Sequence, residues 1–160
     1  MRVSDPSNFY TGLVAELYEP LASGISDSDR FIRFVVEHGE PALEICCGTG
    51  LPLLDLLEAG LDVEGVDSSK DMLDICAAKA SKRGLSVTLH RAMMQDFKML
   101  RRFRSVYIAN GSITLLPSDS DLKQTLKTII ECLDPKGIVL FDLDVPNANE
   151  LRRLVGKFKE

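Results

Sequence analysis

Two acidic residues and a glycine-rich turn are the parts of this sequence whose types and spacing suggest chemistry. The run from Leu43 to Gly50 reads L-E-I-C-C-G-T-G and carries Glu44 within an otherwise apolar stretch. Gly48 and Gly50 permit a sharp turn and a close approach of a ligand to the backbone. Asp67 ends a second apolar run, where its carboxylate can accept hydrogen bonds from both hydroxyls of a ribose. We therefore expect a ribose-bearing ligand at this turn.

Glu44 distinguishes between two classes of ligand at such a turn. A carboxylate inside an apolar strand is costly unless a positive group pairs with it. An ammonium or sulfonium ligand would supply that partner, whereas a pyrophosphate would be repelled. The dinucleotide fingerprint G-x-G-x-x-G is incomplete in both registers, because Leu53 replaces the third glycine in one, and Cys46 and Leu51 replace the first and third in the other. A nicotinamide or flavin enzyme is therefore disfavoured.

The elements that must position these residues alternate between short apolar runs and helical patterns. Segments with apolar residues three and four positions apart predict helices between nearly every pair of runs. Right-handed crossovers then give an α/β fold, a Rossmann-like doubly wound sheet of about five parallel strands with flanking helices. Its ligands belong at the carboxyl ends of the strands. The strands are predicted at 42–46, 62–67, 86–90, 105–109 and 138–143.

Two helices are predicted before the first strand, over about 10–21 and about 29–38. We interpret residues 1–40 as an N-terminal helical cap and residues 41–160 as the Rossmann-like domain, and we expect them to form one compact unit. A chain of 160 residues is long enough to bury a real core within one domain.

Two serines mark predicted helix starts. Ser68 lies three residues before Asp71, and Ser118 lies three residues before Asp121, which is close to the spacing of a capping box. The fifth predicted strand, 138–143, is a nearly continuous apolar run, and we expect it to be buried on both faces.

Composition limits the partners of the chain. The 24 acidic and 19 basic residues leave a net charge of −5, which creates no general attraction to nucleic acid or anionic lipid. No apolar run approaches the roughly 18–20 residues that span a membrane, and residues 1–6 do not resemble a signal peptide. The four cysteines form no C-x-x-C pair, so no metal site is expected. We expect a cytoplasmic protein.

Three motifs in order resemble those of class I S-adenosylmethionine-dependent methyltransferases. Residues 44–50, E-I-C-C-G-T-G, resemble motif I, with Cys46 at the position where the first motif glycine is common. Residues 66–73, V-D-S-S-K-D-M-L, resemble the second motif, an acid followed by a helix that bears Met-Leu. Residues 133–137, L-D-P-K-G, resemble the L-x-P-G-G turn before strand five. These motifs span most of the chain.

The resemblance implies a set of cofactor contacts. Gly48 and Gly50 would line the methionine and ribose part of the cofactor, Glu44 would face its amino group directly or through water, and Asp67 would hold the ribose hydroxyls. The other implied contacts are Ser68 and Met72 beside the adenine, Ala109 and Asn110 at the methionine end, Cys46 at the turn, and Tyr10 or Tyr18 closing over the cofactor.

Met93 stands where the family often has an acid that binds the adenine amino group, and Asp96 lies three positions later. Met93 and Met94 are therefore expected either to sandwich the ring, with polar contacts only from the backbone, or to belong to the core.

The resemblance implies S-adenosylmethionine as cofactor, S-adenosylhomocysteine as product, and methyl transfer to a small-molecule acceptor. The alternative is a non-catalytic or truncated cofactor-binding domain that works with a partner chain, since strands six and seven of the family do not follow strand five here. RNA base methylation is disfavoured by the net charge and by the absence of an N-P-P-[FY]-type motif at 110–113, which reads N-G-S-I.

No residue is assigned as catalytic from the sequence. His90, Asp142 and Asp144 follow predicted strands and are candidates for a base, although a solvated or structural role is favoured for each. A last amphipathic helix is predicted beyond strand five, and a second copy of the chain is one candidate to cover its apolar stripe. That stripe consists of Leu151, Leu154, Val155 and Phe158.

Overall fold

The computed structural model describes residues 10–22 and 27–143. Within these ranges the chain forms five α-helices, one short 3-10 helix and one sheet. The helices are α1 (Leu13–Ala22), α2 (Ser28–His38), α3 (Leu53–Glu58), α4 (Lys70–Lys82) and α5 (Asp119–Cys132), and the 3-10 helix is Ser112–Leu115. The strands are β1 (Ala42–Ile45), β2 (Val63–Asp67), β3 (Thr88–Arg91), β4 (Phe103–Ile108) and β5 (Leu133–Phe141).

The five strands are all parallel and lie in the order β3-β2-β1-β4-β5. The chain runs outward from β1 to β3 and then returns to place β4 beside β1, so the strand order reverses at the centre of the sheet. Ligands of open α/β sheets bind at such a reversal, outside the carboxyl ends of the strands. The arrangement confirms the predicted Rossmann-like doubly wound sheet.

The core has two parts, one on each face of the sheet. Alternate residues of a strand point to opposite faces, so each face receives every second apolar side chain. One face packs against α2, α3 and α4, through residues such as Phe31, Leu54 and Cys76. The other packs against α5 and the segment before β4, through Ile129 and Phe97. The sheet is therefore covered by helices on both faces.

Helix α4 begins one residue later than its predicted cap. The Ser69 hydroxyl, rather than that of Ser68, accepts the hydrogen bond from the Met72 N–H, at 3.2 Å. The cause is the preceding acid: an Asp67 oxygen accepts from the Ser69 N–H, and this local turn places Ser69 at the start of the helix. The predicted cap of α5 is confirmed, because the Ser118 hydroxyl accepts from the Asp121 N–H.

Strand β5 was expected to be buried on both faces, and that prediction is wrong. Ile138 is 43% exposed and Phe141 is 38% exposed, because β5 lies at the edge of the described sheet. The L-D-P-K-G segment, expected as a turn, lies within the range of β5 where its register with β4 shifts between Phe103 and Ser105. Strands β1 to β4 differ from their predicted bounds by only one or two residues at an end.

The predicted last helix, with its apolar stripe, and Asp144 lie outside the described residues. Among the helices of residues 10–22 and 27–143, none is long and apolar enough to cross a lipid bilayer.

Candidate functional site

A cavity of about 450 Å³ opens at the carboxyl ends of the central strands. The loop after β1, the end of β2, the start of α4 and the turn after β3 form its walls, and the 3-10 helix and the two N-terminal tyrosines complete them. Most of the predicted site residues meet here. Those that line the cavity are Tyr18, Cys46, Gly48, Asp67, Ser68, Met72, Met93 and Met94.

The two glycines of the turn have different surroundings. Both have positive φ, 51° at Gly48 and 92° at Gly50, which favours glycine at each position. Gly48 lines the cavity, and a Cβ built there would meet nothing within 4 Å. A Cβ at Gly50 would lie 2.7 Å from Leu54 Cγ and 2.8 Å from Cys76 Sγ. Gly48 therefore leaves room at the cavity wall, whereas Gly50 lets the turn pack on α3 and α4.

Asp67 joins this turn to the cavity. Its Oδ2 atom accepts a hydrogen bond from the Gly48 N–H, and its Oδ1 atom accepts one from the Ser69 N–H, both at 2.8 Å. Burial raises the pKa of this carboxyl, and main-chain hydrogen bonds from Ser69, Gly48 and Ser68 act in the opposite direction. A carboxylate offers about four lone-pair sites, so these bonds do not exhaust its capacity to accept. Asp67 therefore holds the turn in place and can still accept hydrogen bonds from a ligand.

Glu44 lies on β1 and is completely buried. Its Oε2 atom accepts a hydrogen bond from the Tyr107 hydroxyl at 2.9 Å, while its Oε1 atom is shielded and makes no hydrogen bond within the described chain. Burial holds the pKa of Glu44 well above its ordinary value, and the Tyr107 bond lowers it in part. Glu44 does not itself line the cavity. It is a buried acid without a cationic partner among the described residues.

Two tyrosines cover one side of the cavity. The rings of Tyr10 and Tyr18 meet edge to face, with centroids 5.6 Å apart, and burial raises the pKa of both phenols. The main chain before α1 is tied to the start of α4, because the Tyr10 carbonyl accepts from the Ser69 hydroxyl and the Gly12 N–H donates to Asp71 Oδ2 at 2.7 Å. These bonds hold the first described residues over the cavity.

The turn after β3 supplies another part of the cavity wall. It is a tight turn, since the Asp96 N–H donates to the Met93 carbonyl at 2.9 Å. The Ala92 N–H bonds to the Asp67 carbonyl at 3.0 Å, so the turn lies directly beside the end of β2. Gln95 also lines the cavity, and sequence reasoning missed it. The sequence signal that could have identified it is its position between Met94 and Asp96, in the segment expected to contact the adenine.

The 3-10 helix and the residues after it were also missed. Ser112, Leu115, Leu116 and Pro117 line the cavity, although nothing in their types suggests a site. Only the return of the chain from β4 places them beside the turn after β3.

Ala109 and Asn110 follow β4 but do not line the cavity. The Ala109 carbonyl accepts from the Ser112 hydroxyl at 3.0 Å, and the Asn110 N–H donates to Asp142 Oδ2 at 3.3 Å. The other oxygen of Asp142 lies 2.5 Å from Arg30 Nη1. Asp142, a candidate base, is therefore already paired with a cation.

The other candidate base, His90, is paired with an acid, and the cysteine thiols are held in their protonated form. His90 Nε2 lies 2.6 Å from Glu64 Oε2, and neither residue lines the cavity. Burial raises the pKa of all four cysteine thiols, to about 12 for Cys76 and to about 11 for Cys132. No group of three metal-binding side chains occurs within residues 10–22 and 27–143.

Comparison with known proteins gives a family match over residues 42–137, more than half of the chain, to a methyltransferase domain. Among curated proteins, the dTDP-3-amino-3,6-dideoxy-alpha-D-glucopyranose N,N-dimethyltransferase of Streptomyces fradiae is 30% identical over 145 residues. The match covers 86% of this chain and 55% of that protein. The chain thus spans about half the length of the curated relatives it matches.

Solved structures agree with this match. The glycopeptide N-methyltransferase MtfA in complex with S-adenosylmethionine is 26% identical with a TM-score of 0.70, over 79% of this chain and 57% of that one. The CcbJ methyltransferase from Streptomyces caelestis has a TM-score of 0.77 over 84% and 57% of the two chains, and at 24% identity it speaks for the fold alone. By its family match and its sheet, this chain belongs to the methyltransferase domain family and has the class I, Rossmann-like fold.

Proposed function

We propose that this chain binds S-adenosylmethionine in the cavity and serves a methyltransferase that acts on a small-molecule acceptor. One observation carries the proposal: Glu44 is completely buried and Asp67 is half-buried beside the glycine-rich turn, and neither forms an ion pair with a cationic side chain within residues 10–22 and 27–143. Uncompensated buried carboxylates are unfavourable, so their retention is best explained by a ligand that brings positive charge and hydroxyl donors.

The residues present fit that cofactor. Glu44 Oε1 and Thr49 Oγ1 are both shielded and have no hydrogen-bond partner among the residues that the structure describes, and such atoms in native proteins usually meet a ligand or ordered water. We assign the amino group of the cofactor to the Glu44 side of the turn and its ribose hydroxyls to Asp67. The remaining proposed contacts are those that the resemblance implies at Ser68, Met72, Met93, Met94 and Cys46 in the cavity wall, with Gly50 shaping the turn and Tyr18 closing over the cofactor. The implied contacts at Ala109 and Asn110 stay predictions, because neither residue lines the cavity.

The main catalytic task of this chain would be to position the methyl group relative to the acceptor. When bound, the cofactor supplies an already activated methyl group on its sulfonium. The walls of the cavity hold that methyl toward the acceptor and exclude water, and such alignment can lower a barrier by about 7–11 kcal/mol in favourable cases. Few of the described residues that line the cavity could ionise, because Asp67 is the one carboxylate among them and burial raises the pKa of the Cys46 thiol and of the Tyr10 and Tyr18 phenols.

A neutral amine is the acceptor that this site favours. A hydroxyl acceptor needs a base, and the candidate bases His90 and Asp142 are paired with Glu64 and Arg30. An unprotonated amine attacks with its own lone pair. The Streptomyces fradiae relative and the MtfA protein are both named as N-methyltransferases, which supports the same choice.

Three further proposals concern the setting of the protein. We place it in the cytoplasm, where four free cysteines remain reduced. The division into a cap over 1–40 and a domain over 41–160 stays a prediction, as does a homodimer that covers the C-terminal residues. The alternative function is cofactor binding without catalysis, in partnership with another chain. The experiment below distinguishes it from methyl transfer.

Calorimetric titration of the purified chain with S-adenosylmethionine and S-adenosylhomocysteine tests the proposal, with NAD as a control ligand. Micromolar binding of the first two and none of NAD is expected. A folded chain that binds neither would overturn it. Transfer of a labelled methyl group to small primary and secondary amines, with the matching alcohols as controls, then tests the acceptor. Cofactor binding without transfer to any of these acceptors would favour the non-catalytic domain.

A further inference from the structure

The turn after β3 holds a polar atom that finds no hydrogen-bond partner in the part of the chain that the structure describes. Gln95 lines the cavity, and its side-chain oxygen, Oε1, is shielded from solvent without a hydrogen-bond donor in the described chain. Its main-chain carbonyl, in contrast, accepts from the Thr128 hydroxyl at 3.1 Å, which ties the residue to α5. The backbone of Gln95 is therefore anchored while its side-chain acceptor has no partner.

The two side chains that precede Gln95 in the cavity wall cannot supply the missing donor. Met93 and Met94 carry thioethers, which donate no hydrogen bond. A shielded amide oxygen without a donor is unfavourable, and native proteins keep few of them outside functional sites. The terminal torsion of a glutamine has a broad minimum, so its amide turns toward the cavity with little strain. The missing donor is therefore expected to come from a ligand.

The position of the turn indicates which part of a ligand it meets. Asp67, proposed to hold the ribose, ends β2, and the Ala92 N–H bonds to its main-chain carbonyl. Neighbouring strands lie about 4.8 Å apart, so a base attached to that ribose reaches the residues after β3. Met72, Met93 and Met94 offer sulfur and methylene groups that suit the faces of an aromatic ring. An edge of the ring that carries a donor then faces the polar side chain of the same wall.

We infer that the Gln95 side-chain carbonyl accepts a hydrogen bond from the exocyclic amino group of the adenine, and that Gln95 thereby selects adenine over a base with a carbonyl at that position. The inference rests on the proposed function, because it requires the cofactor in this cavity. It replaces the sequence-based expectation that only the backbone makes polar contacts there. Gln95 is thus a determinant of cofactor specificity.

The test compares two ligands that differ at that amino group. S-adenosylhomocysteine and S-inosylhomocysteine are titrated into the full chain, into Gln95→Leu, which removes the amide, and into Gln95→Glu, which keeps an acceptor. Gln124→Leu is the matched control, because Gln124 is exposed on α5. We expect wild type and Gln124→Leu to prefer the adenosyl ligand by about tenfold, the range for one hydrogen bond in a buried site.

Gln95→Leu is expected to bind the two ligands within about twofold of each other, while Gln95→Glu keeps the preference for the adenosyl ligand. The thermal midpoint of ligand-free Gln95→Leu should equal or exceed that of wild type, because an unsatisfied acceptor has been removed. Should Gln95→Leu fold poorly, Gln95→Asn provides the same comparison, since its shorter amide no longer reaches the ring.

Two results would overturn the inference: a wild-type preference retained in Gln95→Leu, or a preference lost equally in Gln95→Glu, which would mean that the amide donates rather than accepts. Failure of the proposed function is a different observation. In that case wild type binds neither ligand, whatever residue stands at position 95.

Discussion

The acids at the two ends of strand β2 have opposite environments. Before the amino end, Asp62 accepts two hydrogen bonds from Arg101, each at 2.7 Å, and Glu64 lies 2.6 Å from the same guanidinium. At the carboxyl end, Asp67 is bonded only to main-chain N–H groups. Arg101 lowers the pKa of Asp62, whereas burial raises that of Asp67 and, on the adjacent strand, that of Glu44.

We propose that this difference separates acids that the fold satisfies from acids that it leaves for a ligand. A cation from elsewhere in the chain stabilises the charge at the amino end. No cation among the described residues does so for Asp67 or Glu44 at the carboxyl end, where the ionised carboxylates oppose folding. Unfavourable groups persist in native proteins mainly at functional sites. The acids near the carboxyl ends of β1 and β2 therefore lower the stability of the ligand-free fold, and we expect them to gain a partner when a ligand binds.

The largest expected effect is the loss of cofactor binding in Asp67→Ala. The variant removes the acceptor for two ribose hydroxyls and also for the Gly48 and Ser69 N–H groups, so we expect S-adenosylhomocysteine to bind at least about 100-fold more weakly. Asp62→Ala is the matched control at the other end of β2 and should change affinity less than about twofold. Calorimetry on both variants makes the comparison. Equal losses would break the contrast between the two ends.

Glu44→Gln separates binding from stability. The substitution keeps an acceptor for the Tyr107 hydroxyl but removes a buried charge, so the free energy of unfolding should stay unchanged or rise by about 1 kcal/mol. Binding of the cationic S-adenosylmethionine should weaken about tenfold, because its amino group loses an ionised partner. Urea unfolding and calorimetry measure the two quantities, with the exposed Glu37→Gln as control. A variant less stable than wild type with intact binding would assign Glu44 to the core alone.

The pH dependence of stability should come from the carboxyl end. The pKa of Glu44 is raised in the folded state, so the folded protein binds its proton more tightly than the unfolded chain does. The free energy of unfolding of the ligand-free protein should therefore fall as pH rises from the ordinary value of 4.5 toward the raised folded-state pKa. The contribution of Asp62 to the pH dependence has the opposite sign, because its pKa is lowered in the folded state. Asp62 stabilises the folded protein above its ordinary pKa of 3.8, and this stabilisation is lost only as pH falls below that value.

Urea unfolding between about pH 5 and about pH 8 tests this sign in wild type and in Glu44→Gln. The free energy of unfolding should fall less steeply with pH in Glu44→Gln than in wild type. Equal slopes in the two proteins would assign the pH dependence to other groups.

The smallest expected effect is that of Arg101→Ala. Its side chain is 38% exposed and that of Asp62 is 55% exposed, so solvent screens the pair and the variant should lose only about 0.5–1 kcal/mol of unfolding free energy. Cofactor affinity should not change. A large loss of affinity would show that the ion pairs at the amino end also support the site.

Much of the candidate site could be predicted because its residues lie close together along the chain. The acid, the glycines and Asp67 follow from local spacing; Gly48 and Asp67 line one cavity as expected, whereas Glu44 and Gly50 do not line it. The helix cap at Ser69 shows where local rules reach their limit: two adjacent serines compete, and the hydrogen bond from Ser69 to Asp67 decides between them. The exposed flank of β5 was missed because apolar composition alone does not say which strand is at the edge.

The sequence by itself determined the alternation of strands and helices, the turn at 46–50 and the acids at its strands, because apolar periodicity and glycine conformation act over a few residues. Only the tertiary structure decided which acids find a cation, since Arg101 and Arg30 come from segments far along the chain from their partners. It alone also brought Gln95 and the 3-10 helix to the cavity, because both depend on the reversal of strand order between β3 and β4.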